Sequence, residues 1–171
     1  MKNQDLLENQ GKRGVYLGIG SNIGNRFRNI DLAKYYLNTN NIKILKTSSY
    51  YESLSWPNSN YPKFINIVLK VFTNLEPIEL LKICRSIEIL LGRKKNPKNY
   101  PRECDIDIID FNNLICENEI ILPHKSMHQR NFVLIPLFEI NKNWTHPVSK
   151  ISIKKMIFSL STKDIRSIKQ I

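Results

Sequence analysis

Cysteine is scarce in this chain. Cys84, Cys104 and Cys116 are too few, too widely spaced and too odd in number for a disulfide framework. They stand among isoleucines, where a reduced thiol serves as a small buried hydrophobe, and that usage implies a cytoplasmic redox compartment. Long apolar runs are also missing. The stretch from Phe132 to Leu137 is broken by proline well short of a bilayer span, and the first residues are polar, so neither a membrane segment nor a secretory signal is expected. His124 and His128 lack a third nitrogen or sulfur ligand nearby, which argues against a zinc site. Acidic residues are few, 15 Asp and Glu against 26 Lys and Arg, for a formal charge of +11.

That charge would ordinarily suggest a nucleic acid or another polyanion as partner. Composition tempers the inference, because 25 Ile, 20 Asn and 18 Lys stand against only 8 Arg, the bias left by A/T-rich codons drifting into permissive positions. The informative cations are therefore the arginines. A length of 171 residues, 42% of them hydrophobic, suits one substantial core. Residues 1–13 read as a flexible N-terminal leader and 14–171 as a single domain.

Periodicity supplies the elements. Val15 to Gly20 reads as a strand, after which Ile23, Phe27, Ile30, Ala33 and Leu37 recur at helical spacing. Ile42 to Glu52 and Phe64 to Phe72 read as strands separated by a loop from Ser53 to Pro62. A helix then opens at Pro77 and closes before Gly92, followed by a basic loop from Arg93 to Arg102. Cys104 to Phe111 is a strand, Asn112 and Asn113 a turn, and Ile120 to Leu122 another short extended run. Met127 to Ile140, despite Pro136, and Ile151 to Leu160 complete the list as helices. This order predicts an α+β fold, a ferredoxin-like split βαβ sheet with additional helices in three αβα layers.

Chemistry concentrates between residues 101 and 108. On a strand Asp105 and Asp107 share one face while Ile106 and Ile108 point into the core. Two adjacent carboxylates repel unless a cation lies between them, and hard oxygen ligands suit magnesium carrying substrate phosphates. An isolated Asp-x-Asp fits a solvated edge strand as well. Here Arg102 precedes the pair, and Arg93, Lys94, Lys95 and Lys98 stand in the loop before it, so cation-holding acids adjoin phosphate-holding bases. Phosphoryl transfer needs both signs together. His124, after a proline and near Arg130 and Phe132, suits a phosphate donor or general acid. The Gly18-Ile19-Gly20-Ser21-Asn22-Ile23-Gly24 segment fails the dinucleotide-binding spacing, because its third glycine falls one residue late.

Read in order, Gly-Ser-Asn at 20 to 22, Ser-Ser-Tyr-Tyr at 48 to 51, Phe-Ile-Asn at 64 to 66, Glu-Ile-Leu-Leu-Gly-Arg at 88 to 93, Pro-Arg-Glu-Cys-Asp-Ile-Asp at 101 to 107, Pro-His at 123 to 124 and Arg-Asn-Phe at 130 to 132 resemble the 6-hydroxymethyl-7,8-dihydropterin pyrophosphokinases. The chain departs from that pattern at Asn99 and Tyr100, where Trp-Gly is usual. The resemblance implies transfer of pyrophosphate from ATP to the pterin alcohol with release of AMP, in folate synthesis. It implies two magnesium ions on Asp105 and Asp107, with Asp107, Arg93, Arg102 and His124 serving catalysis. Arg93, Arg102, His124 and Arg130 would meet the phosphates of ATP, and Leu81, Ile108 and Ile120 would line its adenine and ribose. Phe64 and Phe132 would stack on the pterin, Asn66 would read its edge, and Ser53 and Trp56 would flank it. The partners expected are small molecules, with no nucleic acid and no membrane, for a monomeric chain. The rival reading, an RNA-binding ferredoxin-like module, lacks the Gly-Phe aromatic signature and leaves the two aspartates without a purpose. A metal-dependent nuclease lacks a further acidic cluster.

Overall fold

Alternation along three strands determines which residues face which side of the sheet. In a computed structural model of the chain, which describes residues 14–94, 97 and 99–171, these are β1 (Val15–Ser21), β4 (Phe64–Phe72) and β5 (Asp105–Phe111). The expected leader, residues 1–13, and Lys95 and Lys98 of the basic loop lie outside the described residues. β1 pairs antiparallel with β4 on one side and β5 on the other, with Gly20 opposite both Asn66 and Asp105. β2 (Lys43–Thr47) and β3 (Tyr51–Ser53) both pair with β4, and β8 (Lys169–Gln170) pairs with β3. The main path is thus β5-β1-β4-β3-β8, with β2 at the other end of β4, and β6 (Cys116–Glu117) and β7 (Ile121–Leu122) form a separate hairpin.

Leu17, Ile19, Ile65, Ile67, Leu69, Ile106 and Ile108 project to one side of the sheet, where α1 (Arg26–Thr39) and α2 (Pro77–Leu90) bury Ile30, Ala33, Leu37, Leu80, Cys84 and Ile87. Tyr16, Val68 and Ile109 project to the other, against α3 (Asn131–Ile140) and α4 (Ile153–Ser159). Helices therefore cover both faces of an antiparallel sheet. α2 carries the punctuation its sequence announces: Pro77 opens it, Glu79 Oε2 accepts from the Glu76 amide at 2.9 Å, and Gly92 follows its end at φ +107°. Among the described residues no helix is long and apolar enough to cross a membrane.

Several elements differ from expectation. The strand expected from Ile42 to Glu52 is broken between β2 and β3, where the Ser48 hydroxyl accepts from the Val68 amide at 2.9 Å in place of a ladder bond. Phe27 leaves the buried stripe of α1; it is 45% exposed and packs edge-on against Tyr50 at 5.2 Å. The helix expected from Met127 is a 3-10 turn (Met127–Gln129), an extended Arg130 and only then α3. After α4 the chain adds α5 (Thr162–Arg166) and β8, neither of which periodicity signals.

A bulge in β5 sets Ile109 and Asp110 on the same face. Asp110 is buried, and its carboxylate accepts from Trp144 Nε1 at 2.8 Å and from the Asn113 amide at 3.0 Å. Burial pushes its pKa up, and these bonds oppose the shift. Replacing Trp144 by Phe keeps the ring and removes the donor, so urea denaturation should show a loss of about 1–3 kcal/mol. Unchanged stability would contradict this account of Asp110.

Candidate active site

One face of the sheet carries a row of functional side chains. Asp105 and Asp107 on β5 stand opposite Gly20 and Gly18 on β1, and beyond the glycines come Phe64 and Asn66 on β4, then Ser53 and Tyr51 on β3. The glycines keep a furrow open between the carboxylates and β4. A Cβ at Gly20 would come within 3.1 Å of both Asn66 Oδ1 and Phe64 Cδ1, and one at Gly18 within 3.3 Å of Ile109. Asn66 is buried, and its amide donates to Ser53 Oγ at 2.9 Å.

Three arginines arrive from three segments to hold the carboxylates. Arg93, just past α2, reaches Asp105 at 3.1 Å and also pairs with Glu88; Arg102 reaches Asp105 at 2.7 Å; Arg130 reaches Asp107 at 2.8 Å. Burial nevertheless holds the Asp105 carboxyl above its ordinary pKa, helped by the neighbouring Asp107 charge and opposed by Arg102 and Arg93. Two of these arginines lie on aromatic faces: Arg102 is 5.8 Å from the Phe64 ring centre, and Arg130 is 5.1 Å from Trp56 and 5.6 Å from Phe132. The Nε atoms of Arg102 and Arg130 are buried without a hydrogen-bond partner. Two orphaned cationic donors beside two carboxylates mark a place suited to an anion.

His124 completes the group. Its Nδ1 accepts from the Ser126 amide at 3.2 Å, which turns Nε2 toward Asp107, 3.7 Å away, and Arg130, 3.4 Å away. Burial lowers its pKa, partly offset by Asp107. The neutral imidazole with Nε2 protonated is the state this geometry favours at neutral pH.

Two clefts meet at the carboxylates. A narrow one is lined by Ser53, Trp56, Phe64, Asn66 and Phe132, and a wider, more polar one by Leu81, Arg93, Ile120, His124 and Lys125; Asp105, Asp107, Arg102 and Arg130 line both. All the site residues expected from the sequence gather here except Ile108, which is 5% exposed, sits in the core beneath and lines neither cleft. Strand alternation sends it opposite to Asp107.

The sequence model of the family described as 7,8-dihydro-6-hydroxymethylpterin-pyrophosphokinase (HPPK) matches residues 16–142. The chain belongs to that family. Against the 2-amino-4-hydroxy-6-hydroxymethyldihydropteridine pyrophosphokinase of Aquifex aeolicus, an HPPK, it is 39% identical over 142 residues, covering 82% of this chain and 88% of that one. Against the folic acid synthesis protein fol1 of Pneumocystis carinii it is 37% identical over 98% of this chain but only 22% of that protein. The chain thus spans about a fifth of the longer relatives it matches, 23% and 21% of those from Dictyostelium discoideum and Schizosaccharomyces pombe. A solved HPPK-DHPS of Plasmodium falciparum with pterin and p-hydroxybenzoate superposes with a TM-score of 0.70 at 15% identity, over 92% of this chain and 47% of that one, a likeness of fold.

Glu88 escaped the sequence reading as a site residue. It is 4% exposed on α2, accepts from the Ile106 amide at 2.7 Å and pairs with Arg93, so it ties the helix to the strand that bears the aspartates. A carboxylate one residue beyond Ile87 on an apolar helix face was the available signal. Burial pushes its pKa up to about 7, against the Ile106 amide and with the Asp105 charge. Because the folded value is raised, the contribution from protonated Glu88 is full below its ordinary 4.5 and lost as pH rises through about 7. Glu88→Gln keeps the shape and no charge, so its melting temperature relative to the native chain should climb across that interval. A difference that stays constant with pH would refute the assignment.

Proposed function

We propose that the chain transfers the β,γ-pyrophosphoryl group of ATP to 6-hydroxymethyl-7,8-dihydropterin and releases AMP, a step of folate biosynthesis. The observation that carries this reading is the placement of Asp105 and Asp107 where an aromatic slot and a cationic cleft meet. A flat heterocycle and a polyphosphate entering from the two sides would touch at those carboxylates.

In the slot, Phe64 and Phe132 stack on the pterin, each worth about 0.5–1.5 kcal/mol beyond its buried area. Asn66 presents donor and acceptor to the ring edge, held by Ser53, with Trp56 at the rim. In the cleft, Leu81 and Ile120 border the adenine and ribose, while Arg93, Arg102, His124 and Arg130 receive the phosphates. An arriving anion would supply acceptors to the buried Nε donors of Arg102 and Arg130.

The carboxylate pair fits magnesium, since it offers hard oxygens and leaves the remaining positions to phosphate and water; among the described residues no cluster of three or more His, Cys, Asp or Glu competes for that role. Two ions are proposed, and bound magnesium supplies charge neutralisation along the triphosphate. The hydroxymethyl oxygen forms a bond to the β-phosphorus, the bond from that phosphorus to the oxygen bridging the α-phosphate breaks, and AMP leaves with the bridging oxygen. Asp107 takes the hydroxyl proton. His124 Nε2–H donates a hydrogen bond to the charge that grows on the transferred group and on AMP, and the Arg93, Arg102 and Arg130 guanidiniums neutralise it.

We extend the reading to one pyrophosphokinase domain over 14–171 with a ferredoxin-like sheet in three layers, a proposal supported by the strand order β5-β1-β4 with β2 and β3 following and by helices on both faces. The same proposal has the chain act as a monomer on small molecules. The reduced Cys84 and Cys104 support a cytoplasmic setting.

The test is nucleotide analysis after incubation with magnesium, ATP and 6-hydroxymethyl-7,8-dihydropterin. AMP should appear in step with pterin pyrophosphate, should vanish with excess EDTA, and should fall at least ~10²-fold in Asp107→Ala. ADP as the product, or full activity in Asp107→Ala, would contradict the proposal.

A further inference from the structure

The stretch after the family match, which ends at residue 142, contains no residue that the proposed chemistry uses. Its last part is held in an unusual way. From Ser161 to Ile171 no residue is buried, so packing gives this segment little reason to stay in place. Hydrogen bonds hold it, and they converge on the aromatic slot. Asn131, 8% exposed at the first residue of α3, donates its amide to the Asp164 carbonyl at 2.5 Å and to Ser167 Oγ at 3.0 Å. Ser167 Oγ in turn donates to Asp164 O at 2.8 Å.

Farther along, β8 adds itself to β3, with Gln170 opposite Tyr51 and Lys169 opposite Glu52, and the Ile171 amide donates to Tyr50 O at 3.0 Å. Gln170 Nε2 donates to Ser49 Oγ at 2.9 Å, and Ser49 Oγ donates to Glu139 Oε1 at 2.8 Å near the far end of α3. The segment therefore holds the start of α3 directly, its far end through Ser49, and β3 along its outer edge. Those two elements both border the slot: Asn131 lies between Arg130 and Phe132, and β3 ends at Ser53.

The geometry points to Ser161–Ile171 as a strap that fixes the spacing of the two slot walls, with Asn131 as its positioning residue. The inference rests on the proposed function for the identity of the slot's ligand. Loosening the strap frees Phe132 and its turn in the unliganded protein, and that freedom must be lost again when the heterocycle binds. The polyphosphate side feels less of this, since Arg93, Arg102 and His124 are held by contacts the strap does not make, and Arg130, although next to Asn131, is held by its own ion pair with Asp107.

Asn131→Ala and Ser167→Ala in the full chain test it. The oxidised 6-hydroxymethylpterin, titrated through its own fluorescence, should bind about three- to tenfold more weakly to Asn131→Ala and less markedly so to Ser167→Ala. In turnover the KM for the reduced pterin should follow, while kcat and the KM for MgATP stay within about twofold. A merely structural role would lower the melting temperature and move both KM values alike, which would overturn the strap, as would unchanged pterin affinity in both variants. Should Asn131→Ala not fold, Ser167→Ala decides alone by the same criterion. A native chain that binds the pterin yet releases no AMP refutes the proposed reaction and leaves the strap to be judged on affinity. A native chain that does not bind it overturns the strap.

Discussion

Two carboxylates side by side on one strand face, Asp105 and Asp107, are the constraint around which the rest of the site is arranged. Like charges this close, partly removed from water, repel each other unless cations share the space. The chain answers with Arg93, Arg102 and Arg130, of which Arg93 also pairs with Glu88 behind the site. Each partner requires its own piece of architecture. Arg93 needs α2 to stop at Gly92, Arg102 needs the loop to return beside β5, and Arg130 needs an extended residue between the 3-10 turn and α3.

The same arrangement explains why the surroundings are divided. On one side the arginines lie over Phe64, Trp56 and Phe132, a flat apolar slot kept open by Gly18 and Gly20. On the other they open onto a cleft with Arg85, Lys94 and Lys125 at its margin. The overall charge of +11 says little about this division, because the arginines at its centre are each paired with a carboxylate. Under the proposed function a polyphosphate bound there would exchange carboxylate partners of the arginines for phosphate ones, leaving the carboxylates to hold a divalent cation.

Much of this was legible because it depends on local rules. Asp-x-Asp on a β-branched run places both acids on one face whatever lies nearby, and Pro77 and Gly92 punctuate α2. What sequence patterns missed depends on distant contacts. Ser48 breaks a strand because of the Val68 amide, and Arg130 leaves the helical pattern while bonded to Asp107, neither of which periodicity encodes. Ile108 was assigned to the nucleotide pocket, yet alternation, correctly applied, sends it to the core with Ile106. The short α5 carried a signal that was overlooked: Ser161 Oγ accepts from the Asp164 amide at 3.0 Å, a cap readable in Ser-Thr-Lys-Asp. Glu88 was hidden by its helix, where only the burial of a carboxylate among isoleucines marks it.

The central claim is that Asp105 and Asp107 exchange arginine for metal when the nucleotide binds. A crystal structure with magnesium and a non-hydrolysable ATP analogue tests it directly. The account predicts carboxylate oxygens of both residues about 2.0–2.1 Å from magnesium, with the Arg102 and Arg130 guanidiniums turned onto phosphate oxygens. Both carboxylates still paired with their arginines, and facing no ion, would contradict it.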